Sequence, residues 1–239
     1  MSKLKLGPIG LLPPSGAAMG IIPPESGSGY QLVEGEIVKE EKTLELLAEK
    51  LLTLRNPTFF PGPLLLWGWT PETKHLAKLS LDLAAEVPGM NIIPMPDYRP
   101  IYPKIDPEAV MNPCHPNLTI LHNKIQVCIF IGVHCHFANI TLKMIRANTN
   151  CYTICICPHD CHEDALISVR DMDGPKIEKI TAAIKKAKAS GITPWAHTPQ
   201  GKTELEEIRA RKEKNKYPTK DETNLFMGDL ETGLDENAE

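Results

Sequence analysis

The chain has 239 residues, enough to bury a substantial core, and carries 26 Lys and Arg against 30 Asp and Glu, a net charge of -4. That balance excludes the broad basic surface with which proteins track nucleic-acid phosphates. The longest apolar runs, Pro63 to Trp69 and Val127 to Val133, fall well short of the roughly 20 residues that a membrane-spanning helix needs.

Seven cysteines, an odd number without regular spacing, argue for reduced thiols rather than a disulfide framework. Prolines from Pro8 to Pro14 break any signal-peptide core after Lys3 and Lys5, so a cytoplasmic protein is expected.

Residues 1–39 read as an irregular arm, because Pro13-Pro14, Pro23-Pro24 and Gly27-Ser28-Gly29 disfavour helix. Its apolar residues Leu11, Leu12, Met19, Ile21 and Ile22 suit a segment lying on its own core or on a partner. From Glu40 to Leu54 the spacing of Leu44, Leu47, Leu51 and Leu54 predicts an amphipathic helix, closed by Asn56-Pro57.

Pro63 to Trp69 reads as a strand, and Thr70-Pro71-Glu72 as the capped start of a helix that runs to about Val87. Met90 to Met95 is the next predicted strand. The proline-rich residues 96–117 form a long irregular excursion of the kind that usually carries an interaction. Leu118 to Leu121 reads as a short strand and Gln126 to Val133 as a central one, buried on both faces.

A helix over His136 to Arg146, a strand over Cys151 to Cys157 and a helix over Ile177 to Ala189 follow. Residues 191–239 form a charged extension, with a surface helix over Glu204 to Lys216 and an acidic, mobile end from Asp221. Alternating strands and helices over residues 40–190 predict one α/β domain with a mostly parallel sheet flanked by helices.

In such a sheet, ligands bind beyond the carboxyl ends of the strands. The residues expected there are Trp69 and Thr70, Asp97 and Arg99, then His134, Cys135 and His136, and after the last strand His159, Cys161 and His162. Cys135 sits at a helix N-terminus between two imidazoles, where a thiol is acidified. Neither a three-glycine dinucleotide fingerprint nor a Walker loop is present, so FAD or a nucleotide would have to use helix N-termini at Thr70 or His136.

Five of the seven cysteines fall between Cys135 and Cys161, which raises the question of a metal. Alternation along the Cys151–Cys157 strand puts Cys151, Cys155 and Cys157 on one face. Successive thiols there are roughly 6.6 Å apart at about 3.3 Å per residue, a poor match to one tetrahedral ion. Cys151 and Cys155 are therefore expected to be packing residues. The loop residues Cys157, His159, Cys161 and His162 are freer to converge, yet they lack paired Cys-x2-Cys spacing, and a bound metal is not expected.

The runs Asn56-Pro-Thr-Phe-Phe-Pro-Gly-Pro-Leu-Leu-Leu-Trp67, Ile93-Pro-Met-Pro-Asp-Tyr-Arg-Pro100, His115-Pro-Asn-Leu-Thr119, His122-Asn-Lys and Gly132-Val-His-Cys-His-Phe-Ala-Asn139 together resemble one family. It is that of the carbon monoxide dehydrogenase beta subunit and acetyl-CoA synthase epsilon subunit, over about residues 40 to 190. The resemblance implies a Rossmann-like domain in a small accessory subunit, inactive alone. Such a subunit serves an anaerobic complex of acetyl-CoA and one-carbon metabolism whose nickel and iron-sulfur chemistry lies in larger chains.

By that resemblance, the expected partner is a large nickel/iron-sulfur subunit or a related redox enzyme. The expected role is stabilising the assembly and assisting electron transfer to a flavin. Self-association is an open expectation. The alternative is an independent redox or ligand-binding protein holding a flavin, nucleotide or metal at the strand-end crevice.

Overall fold

A computed structural model describes Leu4 and residues 15–95, 107–111 and 115–214, with the side chains of 212–214 excepted. Asp97, Arg99, most of the proline-rich excursion and the acidic end from Asp221 lie outside the described residues. The chain divides into a unit from Met1 to Lys202 and a second from Thr203 onward.

In chain order the elements are β1 (Tyr30–Val33), β2 (Glu36–Lys39), α1 (Glu40–Thr53), β3 (Thr58–Pro61) and the single turn α2 (Pro63–Leu66). Next come α3 (Pro71–Glu86), β4 (Asn91–Ile92), α4 (Pro116–His122), β5 (Val127–Ile131) and α5 (Cys135–Asn148). β6 (Tyr152–Ile156), β7 (Ile167–Val169), α6 (Gly174–Ala189) and α7 (Pro199–Lys214) complete the order.

These build one seven-stranded sheet in the order β2-β1-β7-β6-β5-β3-β4. The five strands from β4 to β7 run parallel, whereas β1 is antiparallel to both β7 and β2. The predicted α/β class with a mostly parallel sheet is thus the observed one. Within the parallel part, the strand order reverses between β3 and β5, the position where open sheets of this kind form a crevice.

Alternation along the central strands feeds two cores. Val127, Ile129 and Ile131 of β5 with Tyr152, Ile154 and Ile156 of β6 face one side, which α1, α3 and α6 cover through Leu47, Leu51, Leu83, Ile177 and Ile180. Cys128, Phe130, Cys151 and Cys155 face the other, beneath α4 and α5, where Ile120, Leu142 and Ile145 meet them. Each fully buried aliphatic or aromatic side chain there contributes about 1.5–3 kcal/mol. Cys151 and Cys155 are packing residues of this second core, as alternation predicts.

Several expectations need correction. The strand expected over Pro63–Trp69 lies instead at Thr58–Pro61, and Pro63 opens a helical turn. Proline lacks the N–H a ladder needs, and its fixed φ suits the first helical position. Leu118–Leu121 lies in helix α4 for the same reason: Pro116 stands at its start, Thr119 and Ile120 are buried, and Leu118 and Leu121 are exposed.

The arm is shorter than expected, since Tyr30–Lys39 is a hairpin of the sheet. Its two-residue turn places Glu34 and Gly35 both at positive φ, 51° and 83°, as a type I′ turn requires. The preceding segment lies on the chain's own core, with Ile21 buried and the Gly16 N–H donating to Asp164 Oδ1 at 3.2 Å. Trp67 and Trp69 are exposed, whereas Trp195 is buried.

Candidate functional site

A parallel ladder decides which loops meet at the carboxyl edge. β5 and β6 pair with Ile131 opposite Ile156, so the turn into α5 and the loop after β6 leave the sheet side by side. Cys135 is the first residue of α5 and Cys157 the first beyond β6. Their sulfurs are 3.6 Å apart.

His162 joins them from the loop between β6 and β7. Its backbone N–H donates to Ser168 Oγ at 2.7 Å, which ties the loop to β7, and its Nδ1 lies 2.6 Å from Asn139 Oδ1. Asn139 stands four residues after Cys135 on α5, the spacing that places both on one helix face. One donor atom each from Cys135, Cys157 and His162 lie within 4.8 Å of one another. The ring is buried to 1% exposure, and with Nδ1 on Asn139 its Nε2 is left to the sulfurs of Cys155 and Cys157.

This grouping has electrostatic consequences. Burial pushes the Cys157 thiol up, but the neighbouring His162 imidazole and the backbone N–H groups of His159 and Asp160 outweigh it and bring it down to about 7. Burial likewise works against the His162 cation, yet the sulfurs of Cys155 and Cys157 raise its pKa well above the ordinary histidine value. The two groups favour each other's charged form through proximity. Burial, followed by the Cys157 neighbour, raises the Cys135 thiol instead.

The remaining expected residues distribute unevenly. The His159 side chain is exposed, and the residue contributes through its backbone: its N–H toward Cys157 and its carbonyl, which accepts from Arg170 Nη2 at 3.0 Å. Cys161 is turned into the first core, with Sγ 3.8 Å from the Ser168 carbonyl, and burial raises its thiol to about 11. Of the four loop residues expected to converge, the structure brings together Cys157 and His162 alone, and adds Cys135 from the other loop.

His136 is exposed, its ring centroid 4.5 Å from that of Phe137 and 6.1 Å from that of His134. Thr70 is exposed, and its hydroxyl accepts from Thr73 N to cap α3. Trp69 beside it is 74% exposed. Asn139 was not anticipated; its offset of four from Cys135 on a predicted helix was the available signal.

A bound dinucleotide would place its pyrophosphate at the β3/β5 reversal, and the described residues there do not suit it. The Gly62 N–H donates to Ile131 O and Leu64 N–H to Gly132 O, at 2.9 and 3.2 Å. A Cβ on Gly62 would lie 2.2 Å from Gly132 O, and one on Gly132 would lie 2.6 Å from Leu65 Cγ. The glycines serve close contact between the two turns.

No curated protein matches the chain. A family model described as CO dehydrogenase beta subunit/acetyl-CoA synthase epsilon subunit matches residues 18–187. That interval takes in the whole sheet, the Cys135–Cys157–His162 grouping and the arm segment around Ile21. Because that match spans most of the sequence, the chain belongs to the CO dehydrogenase beta subunit/acetyl-CoA synthase epsilon subunit family.

Proposed function

We propose that the chain is a noncatalytic accessory subunit that stabilises a carbon monoxide dehydrogenase/acetyl-CoA synthase assembly by docking on its large nickel/iron-sulfur chain. The observation that carries this reading is the family match over residues 18–187. The described residues build no pyrophosphate cradle at the strand-order reversal. In this reading, the flavin that receives electrons from the assembly is held by another chain. Trp69, 74% exposed on the connection between α2 and α3, offers the kind of aromatic anchor on which interfaces concentrate their energy.

The reading predicts that the tagged chain, captured from its native cells without oxygen, brings down a large subunit containing nickel and iron. Recovery of the chain as a lone monomer from such an extract would overturn it.

A further inference from the structure

The grouping of Cys135, Cys157 and His162 has geometry that core packing does not require. Two cysteines from different loops present sulfurs 3.6 Å apart. In a tetrahedral site with metal–sulfur bonds of about 2.3 Å, sulfurs stand about 3.8 Å apart. The sulfur–nitrogen edge of such a site is about 3.5 Å, so from separations within 4.8 Å the imidazole has at most about 1.3 Å to travel.

The second observation concerns the imidazole. His162 Nε2 is enclosed, with no oxygen or nitrogen partner among the described residues and only the sulfurs of Cys155 and Cys157 beside it, and sulfur is a weak acceptor. The Nδ1 is held by Asn139 Oδ1 at 2.6 Å, which leaves Nε2 as the nitrogen that can ligate. A metal-bound histidine typically has its second nitrogen fixed by an oxygen in this way.

We propose that Cys135 Sγ, Cys157 Sγ and His162 Nε2 form a binding site for one zinc-class divalent cation, with the fourth tetrahedral position left to an exogenous ligand. Two sulfurs and one imidazole suit zinc and disfavour calcium or magnesium, which take oxygen. Binding exchanges the thiol protons for the cation and releases them to solvent, with no change of oxidation state. The site does not rest on the assembly role and can exist in the isolated chain.

The test uses the full chain, reduced, stripped with a chelator and titrated with Co2+. One Co2+ per chain should bind, with thiolate-to-cobalt charge-transfer absorption in the near ultraviolet and the strong visible bands of a tetrahedral centre, both removed by equimolar Zn2+. Cys135→Ser should abolish most of the charge-transfer intensity, and its partly exposed position makes it the ligand variant least dependent on folding. Asn139→Ala should weaken Zn2+ binding by about tenfold to a hundredfold, whereas Cys161→Ser should leave it unchanged.

Far-ultraviolet circular dichroism of every variant separates loss of binding from loss of fold. Cobalt that binds without charge-transfer absorption overturns the proposal. So does a charge-transfer band that survives Cys135→Ser, or one lost equally in folded Cys161→Ser. Because the measurement needs no partner, its failure leaves the assembly reading standing, and failure of capture from cells leaves the cation site standing.

Discussion

The sulfurs of Cys135 and Cys157 lie 3.6 Å apart although the residues are 22 positions distant in sequence. Cys135 is partly exposed while Cys157 is buried, so an oxidant reaches the pair through Cys135. Treatment of the metal-free chain with diamide should give a Cys135–Cys157 disulfide: Cys157 attacks the diamide-activated Cys135, and diamide takes up two electrons and two protons. Cys128 and Cys151, also 3.6 Å apart, are both buried in the second core and should remain reduced. Peptide mapping by mass spectrometry distinguishes the two pairs, and prior loading with Zn2+ should suppress the reaction.

Glu40 joins three elements near the hairpin. It accepts from Lys176 Nζ at 2.6 Å and from Gln31 Nε2 at 3.0 Å, with side chains of Glu40 and Lys176 only 16% and 12% exposed. Burial alone would raise its pKa, but the bonds from Lys176 and Gln31 outweigh it and hold the carboxyl below its ordinary 4.5. A folded pKa below the unfolded one stabilises above the unfolded value, and the gain disappears as pH falls through the folded value. Glu40→Gln should therefore cost about 1–2 kcal/mol near neutral pH, and the difference from wild type should shrink as pH falls below 4.5, as read by urea denaturation.

Gly62 cannot accept a side chain without moving backbone, and Gly132, at φ 74°, would press one on Leu65 Cγ at 2.6 Å. Gly62→Ala drives a methyl against the Gly132 carbonyl, 2.2 Å away, and the rigid partner cannot rotate aside. A loss of about 2–3 kcal/mol is expected, measured by chemical denaturation. The control Gly20→Ala has nothing within 4 Å but stands at φ 74°, so it reports the backbone penalty of about 1 kcal/mol by itself.

Asp164 and Arg146 form a buried ion pair, with 2.5 Å between Oδ1 and Nη2 and side-chain exposures of 8% and 3%. Asp164→Ala removes the carboxylate from Arg146 and the acceptor from the Gly16 N–H. Destabilisation on the order of 3 kcal/mol is expected, together with faster proteolysis within residues 15–24. Asp164→Asn keeps an acceptor for Gly16 and should protect the segment more than alanine does.

Trp69→Ala should leave stability within about 0.5 kcal/mol, since an exposed side chain contributes little to folding. It should nevertheless lower recovery of the large subunit in anaerobic capture. Unchanged recovery would remove Trp69 from the docking surface.

The α/β class and its long helices were legible because their signals are periodic: Leu44, Leu47 and Leu51 are all buried along α1, and β5 is an uninterrupted apolar run. The errors cluster where elements are short and proline opens them, as at Pro63 and Pro116, since four to seven apolar residues satisfy either helix or strand. The hairpin was hidden because its turn is Glu34-Gly35 rather than Asn-Gly. At the site, His134, Cys135 and His136 drew attention through proximity in sequence. The grouping that forms instead depends on the β5/β6 register and on the tether from His162 to Ser168, and neither leaves a local pattern.

Asp164 stands two residues after His162 and accepts from the N-terminal segment at Gly16. The segment and the proposed cation site thus share one loop as a common support. Linkage is reciprocal: to the extent that a cation at the site steadies this loop and tightens the segment's seating, loss of the segment's anchor on Asp164 loosens the cation by the same factor.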